Sequence, residues 1–216
     1  MCGYDMKERL VKIDDVTKCT ILRRLNRFVV EIIVGNHPVK AYINNTGRLM
    51  ELLVKGRKAY CIKNPANLKT DYRLFAIDEK KEDLTALIDT HIQMRAFEEA
   101  LDRGLIPWLI DCRMVKRNVK LGFSVIDYLI ECRKRLVYLE VKSAVMRGDM
   151  EYAMYPDCPT ERGRRHITEI INHVSKGGLG AILFIAALPK VRAFKPHWEG
   201  DPEIPVLLRK AGEVGV

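Results

Sequence analysis

Asp127 and Glu140-Val-Lys142 are the residues whose types and spacing could do chemistry. They stand in two segments, 124–131 and 136–142, where apolar and polar side chains alternate with the period of a strand. Cys132-Arg133-Lys134-Arg135 between them suits a tight turn. A hairpin centred on Arg133-Lys134 pairs residues whose numbers sum to 267, which sets Asp127 across from Glu140. Residues two apart share a face, so Lys142 joins the two carboxylates while Val137, Leu139 and Val141 point away. Directly opposed like charges destabilise a sheet, and a divalent cation would relieve them. Mg²⁺ is commonly held by one or two carboxylates, waters and phosphate oxygens. The expected chemistry is therefore phosphodiester hydrolysis at Mg²⁺, with Mn²⁺ as a substitute and Lys142 orienting or activating the attacking water. The plainer alternative is a solvated hairpin face carrying one ion pair.

Two helices must flank such a hairpin. Upstream, Ile92, Ala96, Phe97, Ala100 and Leu101 fall on one helical face, and Gly104 with Pro107 ends the run. Glu98 and Glu99 sit on that helix about 100° apart, so at most one faces the hairpin; Glu99 is the expected third acid of the site. Downstream, a helix opens near Thr160 and runs to about His173, with Ile167, Ile170, Ile171 and Val174 as its apolar stripe. Its first turns carry Arg162, Arg165 and His166 on the expected polar side, suited to phosphate at a helix N-terminus. The run 181–186 is apolar on both faces, which predicts a strand at the sheet centre.

The first 85 residues read differently, as short strands at 17–24, 27–34, 39–43, 58–63 and 72–77, with one or two helical turns at 48–53. Three strands, a short helix and two strands is the order of an OB-fold; an SH3-like barrel fits the same count. The expectation is an α/β two-domain chain: an OB-like barrel over 1–84 and a second α/β domain over 85–216. Among the 216 residues, 37 Lys and Arg face 28 Asp and Glu, a net charge of +9. Residues 1–85 hold 17 basic against 11 acidic side chains, +6, leaving +3 for the rest. Clustered positive charge favours a polyanion. The 48% hydrophobic fraction excludes a disordered chain. The longest apolar run, 181–188, is short of the ~20 residues a membrane span needs, so a soluble, cytoplasmic protein is expected. Six cysteines without a C-x-x-C pair predict reduced thiols and no zinc site.

Asp127, then Glu140-x-Lys142 on a hairpin beside a helix, resembles the signature of the PD-(D/E)xK nuclease superfamily. Along nearly its whole length the chain also resembles the sugar fermentation stimulation protein A (SfsA) family, through Arg27-Phe-Val-Val-Glu31, Asn45-Thr-Gly-Arg-Leu49, Lys69-Thr-Asp-Tyr-Arg73, Glu98-Glu-Ala-Leu101, Ile126-Asp-Tyr-Leu129, Tyr138-Leu-Glu-Val-Lys-Ser143 and Pro156-Asp-Cys-Pro-Thr-Glu-Arg-Gly-Arg-Arg-His166. That resemblance implies an OB-like domain joined to a restriction-endonuclease-like domain, with DNA as partner. It assigns Glu99, Asp127 and Glu140 as the acidic, metal-holding triad and Lys142 as the catalytic-type lysine. Arg162, Arg165 and His166, with Arg27, Arg48 and Arg73 of the barrel, are the expected DNA contacts. Before the first helix the chain departs from the family's Asn-Thr pattern, having Asp89-Thr90. Three functions compete: a Mg²⁺-dependent nuclease of low sequence specificity, a non-catalytic DNA-binding regulator of sugar metabolism on the same scaffold, and an oligosaccharide-binding module. A fold alone does not choose among them. The third is weakest, since a basic excess does nothing for a neutral sugar.

Overall fold

The computed structural model describes residues 9–79, 84–149 and 151–216; Cys2 and most of the acidic stretch 78–83 lie outside them. Six strands form the first sheet: β1 (Val16–Arg24), β2 (Val29–Val34), β3 (His37–Tyr42), β4 (Lys58–Lys63), β5 (Tyr72–Asp78) and β6 (Thr85–Leu87). Alternation makes them: in β2, Val30 and Ile32 are wholly buried while their neighbours are half-exposed. The order is β3-β2-β1-β4-β5-β6, and a parallel pairing of β3 with β5 closes the strands into a barrel. Residues 48–53 form turns rather than the expected short helix. Leu49 has φ near 51°, outside the helical region, and its carbonyl accepts from both Leu52 and Leu53.

The second sheet has order β12-β9-β8-β7, built from β7 (Cys112–Leu121), β8 (Ser124–Cys132), β9 (Arg135–Ala144) and β12 (Gly180–Ala186). Helix α1 (Thr90–Asp102) covers one face; α2 (Glu161–Val174) and α3 (Glu203–Val214) cover the other. Strands β10 (Met146–Gly148), β11 (Tyr152–Tyr155) and β13 (Ala193–Pro196) make a small third sheet. The run 180–186 is an edge strand, not the centre. Its doubly apolar character has another cause: Ala181, Leu183 and Ile185 pack on the α1 side, while Ile182 meets the α2 and α3 cluster and Phe184 stacks on Phe194.

Two further corrections concern covalent and helical structure. Cys112 and Cys132 form a disulfide, because the antiparallel register of β7 and β8 brings them face to face; the other described cysteines are free thiols. Helix α3 has no counterpart in the expected elements, although Ile204, Leu207, Leu208 and Ala211 supply the needed spacing. The two layers are not independent: Ala144, Val145, Ala153 and Leu188 sit in the same buried cluster as the barrel's Ile21, Val30 and Ile32. Among the described residues no helix is long and apolar enough to cross a membrane.

Candidate active site

The β8–β9 hairpin has the register read from the sequence, with Tyr128 opposite Leu139 and Cys132 opposite Arg135. Arg133 and Lys134 both take positive φ, as a two-residue hairpin turn of this hand requires. The ladder stops at Tyr128–Leu139, one step before Asp127. There the Asp127 carboxylate takes over the strand's role, accepting from the Val141 N–H at 2.8 Å. Val137, Leu139 and Val141 pack towards α1, so Glu140 and Lys142 face α2.

On that face Glu140 is almost wholly buried, 2% exposed. Its Oε1 is gripped by the Lys142 ammonium and by His166 Nδ1, at 2.5 Å from the latter. Arg162 donates from Nε to His166 Nε2 at 3.3 Å. Guanidinium can only donate, so Nε2 accepts, and the ring proton sits on Nδ1 and points at Glu140. The other oxygen, Glu140 Oε2, is buried without a hydrogen-bond partner among the described residues. Burial raises the Asp127 pKa, and the negative charge of Glu140 raises it further. For Glu140 burial acts in the same direction but is outweighed by His166 and Lys142, which hold its pKa below the usual carboxylate range. A buried unpaired carboxylate oxygen beside a second carboxylate reluctant to ionise is a place where a cation fits.

Helix α2 is aimed at this point by its first turn. Thr160 is the N-cap, accepting from the Gly163 N–H at 3.1 Å. The Thr160 N–H is in turn held by the wholly buried Asp201, which also pairs with Arg164. Gly163 is needed there, since a Cβ would stand 2.5 Å from the Tyr155 hydroxyl.

The structure brings together Asp127, Glu140 and Lys142, but not Glu99. Glu99 has a side chain 46% exposed and pairs with Arg103 at 3.8 Å. Glu98, 18% exposed, faces the sheet instead, on the side opposite Glu140, accepting from Arg117 and from the Tyr128 hydroxyl. The helix is rotated one position from the expectation because Arg117 and Tyr128 on the sheet offer Glu98 three charge-assisted donors. Among the described residues no three His, Cys, Asp or Glu side chains converge as a ready-made metal cluster. His166, expected on the phosphate-facing surface, is 2% exposed and belongs to the Glu140 network. It stands four residues before Ile170 and therefore on the same, buried side of the helix, where Glu140 meets it. Arg162 and Arg165 are exposed, as are Arg27 and Arg48, whereas Arg73 is half-buried and pairs with Asp89 at 3.3 Å.

Comparison with known proteins follows the same division. Residues 22–88 match the model described as the SfsA N-terminal OB domain, and residues 91–216 match the sugar fermentation stimulation protein RE domain. The sugar fermentation stimulation protein homolog of Pyrococcus furiosus is 44% identical over 208 residues, 96% of this chain and 89% of the relative. That of Archaeoglobus fulgidus is 45% identical over 95% of this chain and 88% of its own length. The chain belongs to the SfsA family. A solved structure of Pyrococcus furiosus SfsA in complex with Ca²⁺ superposes with a TM-score of 0.91, 44% identity, and 97% and 89% coverage.

In this SfsA chain the barrel and the second domain meet across a cleft of about 580 Å³, lined from the barrel side by Arg27 and Asn45 and from the other by Ser143, Thr160 and Arg162. Arg162 lines the cleft and also holds His166, so the cleft adjoins the site. Two more buried polar atoms without a partner among the described residues, Asn45 Nδ2 and Ser143 Oγ, belong to residues lining it. The walls are tied together by two aspartates whose roles the sequence did not disclose. Asp157 accepts from the Leu49 N–H at 2.8 Å, and Gly47 packs so closely that a Cβ would stand 2.7 Å from that carboxylate. Asp89 caps α1 through Ile92, accepts from Asn44 and pairs with Arg73, so the departure at Asp89-Thr90 is a hub between barrel and helix.

Proposed function

We propose that this protein is a cytoplasmic DNA-binding phosphodiesterase of low sequence specificity that uses a divalent cation, Mg²⁺ or Mn²⁺, at Asp127 and Glu140. The observation that carries the reading is Glu140 Oε2, buried beside Asp127 without a partner among the described residues, while Lys142 and His166 occupy the opposite oxygen. The Ca²⁺ complex of the Pyrococcus furiosus relative supports a divalent ion in this fold. A bound cation would supply Lewis-acid stabilisation of the phosphate and lower the pKa of water. The chain's own residues do the rest. Asp127 and Glu140 offer the ligand oxygens, and His166, oriented by Arg162, fixes the Glu140 carboxylate. Lys142 places a positive charge where the attacking water or the phosphate oxygen stands. Arg27, Arg48, Arg162 and Arg165 offer exposed cations to the DNA backbone, and each phosphate contact adds to the salt dependence of binding.

Purified protein with plasmid, linear duplex and single-stranded DNA, in Mg²⁺ and in Mn²⁺, tests the reading. Cleavage that requires the cation and disappears in Asp127→Ala is expected. Salt-sensitive binding with no cleavage of any substrate in either metal would leave the DNA-binding regulator as the answer. Binding insensitive to salt would remove DNA as the partner.

A further inference from the structure

The face of the sheet that carries Asp127 continues outward onto the edge strand β7. Lys116 pairs with Leu129 and Lys120 with Val125, and directly paired residues share a face, so both lysines lie on the Asp127 side. Both are exposed, as is Arg165 on the first turns of α2. Arg113 and Arg117 on the same strand are engaged by Glu131 and Glu98.

At the end of this strand Leu121 pairs with Ser124, so Gly122-Phe123 forms the turn. Phe123 is 95% exposed, whereas Phe75 and Phe97 are 6% and 5% exposed. The turn is clamped: the Phe123 N–H donates to Glu169 Oε1 at 2.9 Å, and Gly122, at φ 56°, packs on the same carboxylate. Glu169 is on α2, the helix whose His166 holds Glu140. A fully exposed phenyl ring thus sits on a fixed tip, four residues along β8 from Asp127, or about 13 Å at strand rise. That is roughly four base steps of a DNA strand.

We propose that the β7–β8 hairpin is a base-stack wedge. Lys116 and Lys120 hold phosphates of DNA lying across the Asp127 face, and Phe123 inserts between neighbouring bases, as apolar side chains do in proteins that kink DNA. The preferred substrate is then duplex whose stacking is already weakened, such as mismatched or forked DNA, because unstacking costs least there. This rests on the DNA reading above, and the flanking lysines favour DNA over an apolar protein surface as the occupant.

Full-length protein in EDTA, with duplexes carrying 2-aminopurine beside a central mismatch or in a perfect duplex, tests it. Wild type should raise the probe's fluorescence and bind the mismatched duplex several-fold more tightly, on the order of fivefold. Phe123→Ala should lose both effects and bind mismatched and perfect duplex about equally, and Phe123→Trp should restore them. Lys116→Ala with Lys120→Ala should weaken binding to both DNAs and reduce the salt slope by about two. Phe123→Ala that keeps the fluorescence change and the preference overturns the wedge and leaves DNA binding standing. A change of oligomeric state in Phe123→Ala overturns it in favour of a protein contact. Absence of salt-sensitive binding to any of these DNAs overturns the wedge together with the reading beneath it.

Discussion

Two acidic clusters occupy opposite faces of the same strands, one residue apart in β8. On the α1 face Glu98 is fully answered: Arg117 donates twice, at 2.7 and 2.6 Å, and the Tyr128 hydroxyl once, at 2.7 Å. Burial alone would raise its pKa, but these donors outweigh it and hold the carboxylate below its ordinary value. On the α2 face Asp127 has one backbone donor, its pKa is raised by burial and by Glu140, and Glu140 keeps an oxygen that nothing among the described residues answers. The first arrangement uses up its electrostatic demand inside the protein; the second exports it. Completed pairing marks the structural cluster, and incomplete pairing marks the one that needs a cation from outside.

The contrast is broken most severely by removing the groups themselves. Asp127→Asn and Lys142→Ala should each lower cation-dependent cleavage by about 10²-fold or more, in the range seen when one preorganised group is lost. Glu98→Gln should leave the rate nearly unchanged and lower thermal stability instead. A rate collapse in Glu98→Gln with a near-normal Asp127→Asn would reverse the assignment of the two faces. Steady-state cleavage and thermal melts on the same preparations decide it.

A cation should stabilise only the incomplete cluster. At a hundred times its dissociation constant, a ligand binding the native state alone adds about 2.7 kcal/mol, which for a protein of this size is a shift of roughly 5–10 °C. Mg²⁺, Mn²⁺ or Ca²⁺ should therefore raise the melting temperature of wild type and of Glu98→Gln, and leave Asp127→Asn unmoved. Without cation, Asp127→Asn should melt no lower than wild type at neutral pH, because it removes a buried carboxylate repelled by Glu140 while keeping an acceptor for the Val141 N–H. A cation shift that survives in Asp127→Asn would place the ion elsewhere.

How far this could be read from sequence depended on whether the deciding partner was local. The β8–β9 register follows from a symmetric turn, which is enough to place Asp127, Glu140 and Lys142 on one face. Choosing between Glu98 and Glu99 required knowing that Arg117 on β7 and Tyr128 on β8 would claim one of them, and the sequence does not show which strand lies under which helix turn. The burial of His166 follows from its place four residues before Ile170; only the identity of its partner, 26 residues away on another element, was out of local reach. The disulfide needed the β7–β8 register, and the placement of β12 at an edge needed the helices on both faces. Barrel strands were legible because alternation is local, while the aspartate ties at Asp89, Asp157 and Asp201 join segments 41 to 108 residues apart.

The smallest effect is also the most discriminating, because the two clusters should titrate in opposite senses. Asp127 is raised, so folding favours its protonated form. Its contribution to stability is present at low pH and is lost as pH rises through its native pKa. Glu98 is lowered, so its contribution is present above the ordinary carboxylate range and is lost as pH falls through its native pKa. Carboxyl carbon NMR of the cation-free protein should show an Asp127 midpoint above the usual aspartate value and a Glu98 midpoint below the usual glutamate value. Glu140→Gln removes the neighbouring negative charge and should move the Asp127 midpoint down, leaving Glu98 where it was. Tyr128→Phe removes a donor from Glu98 and should move that midpoint up, with little effect on Asp127 despite their adjacency in β8. Both midpoints moving together in either variant would mean that the two faces of the sheet are one electrostatic system, and the distinction between a satisfied and an unsatisfied cluster would fall.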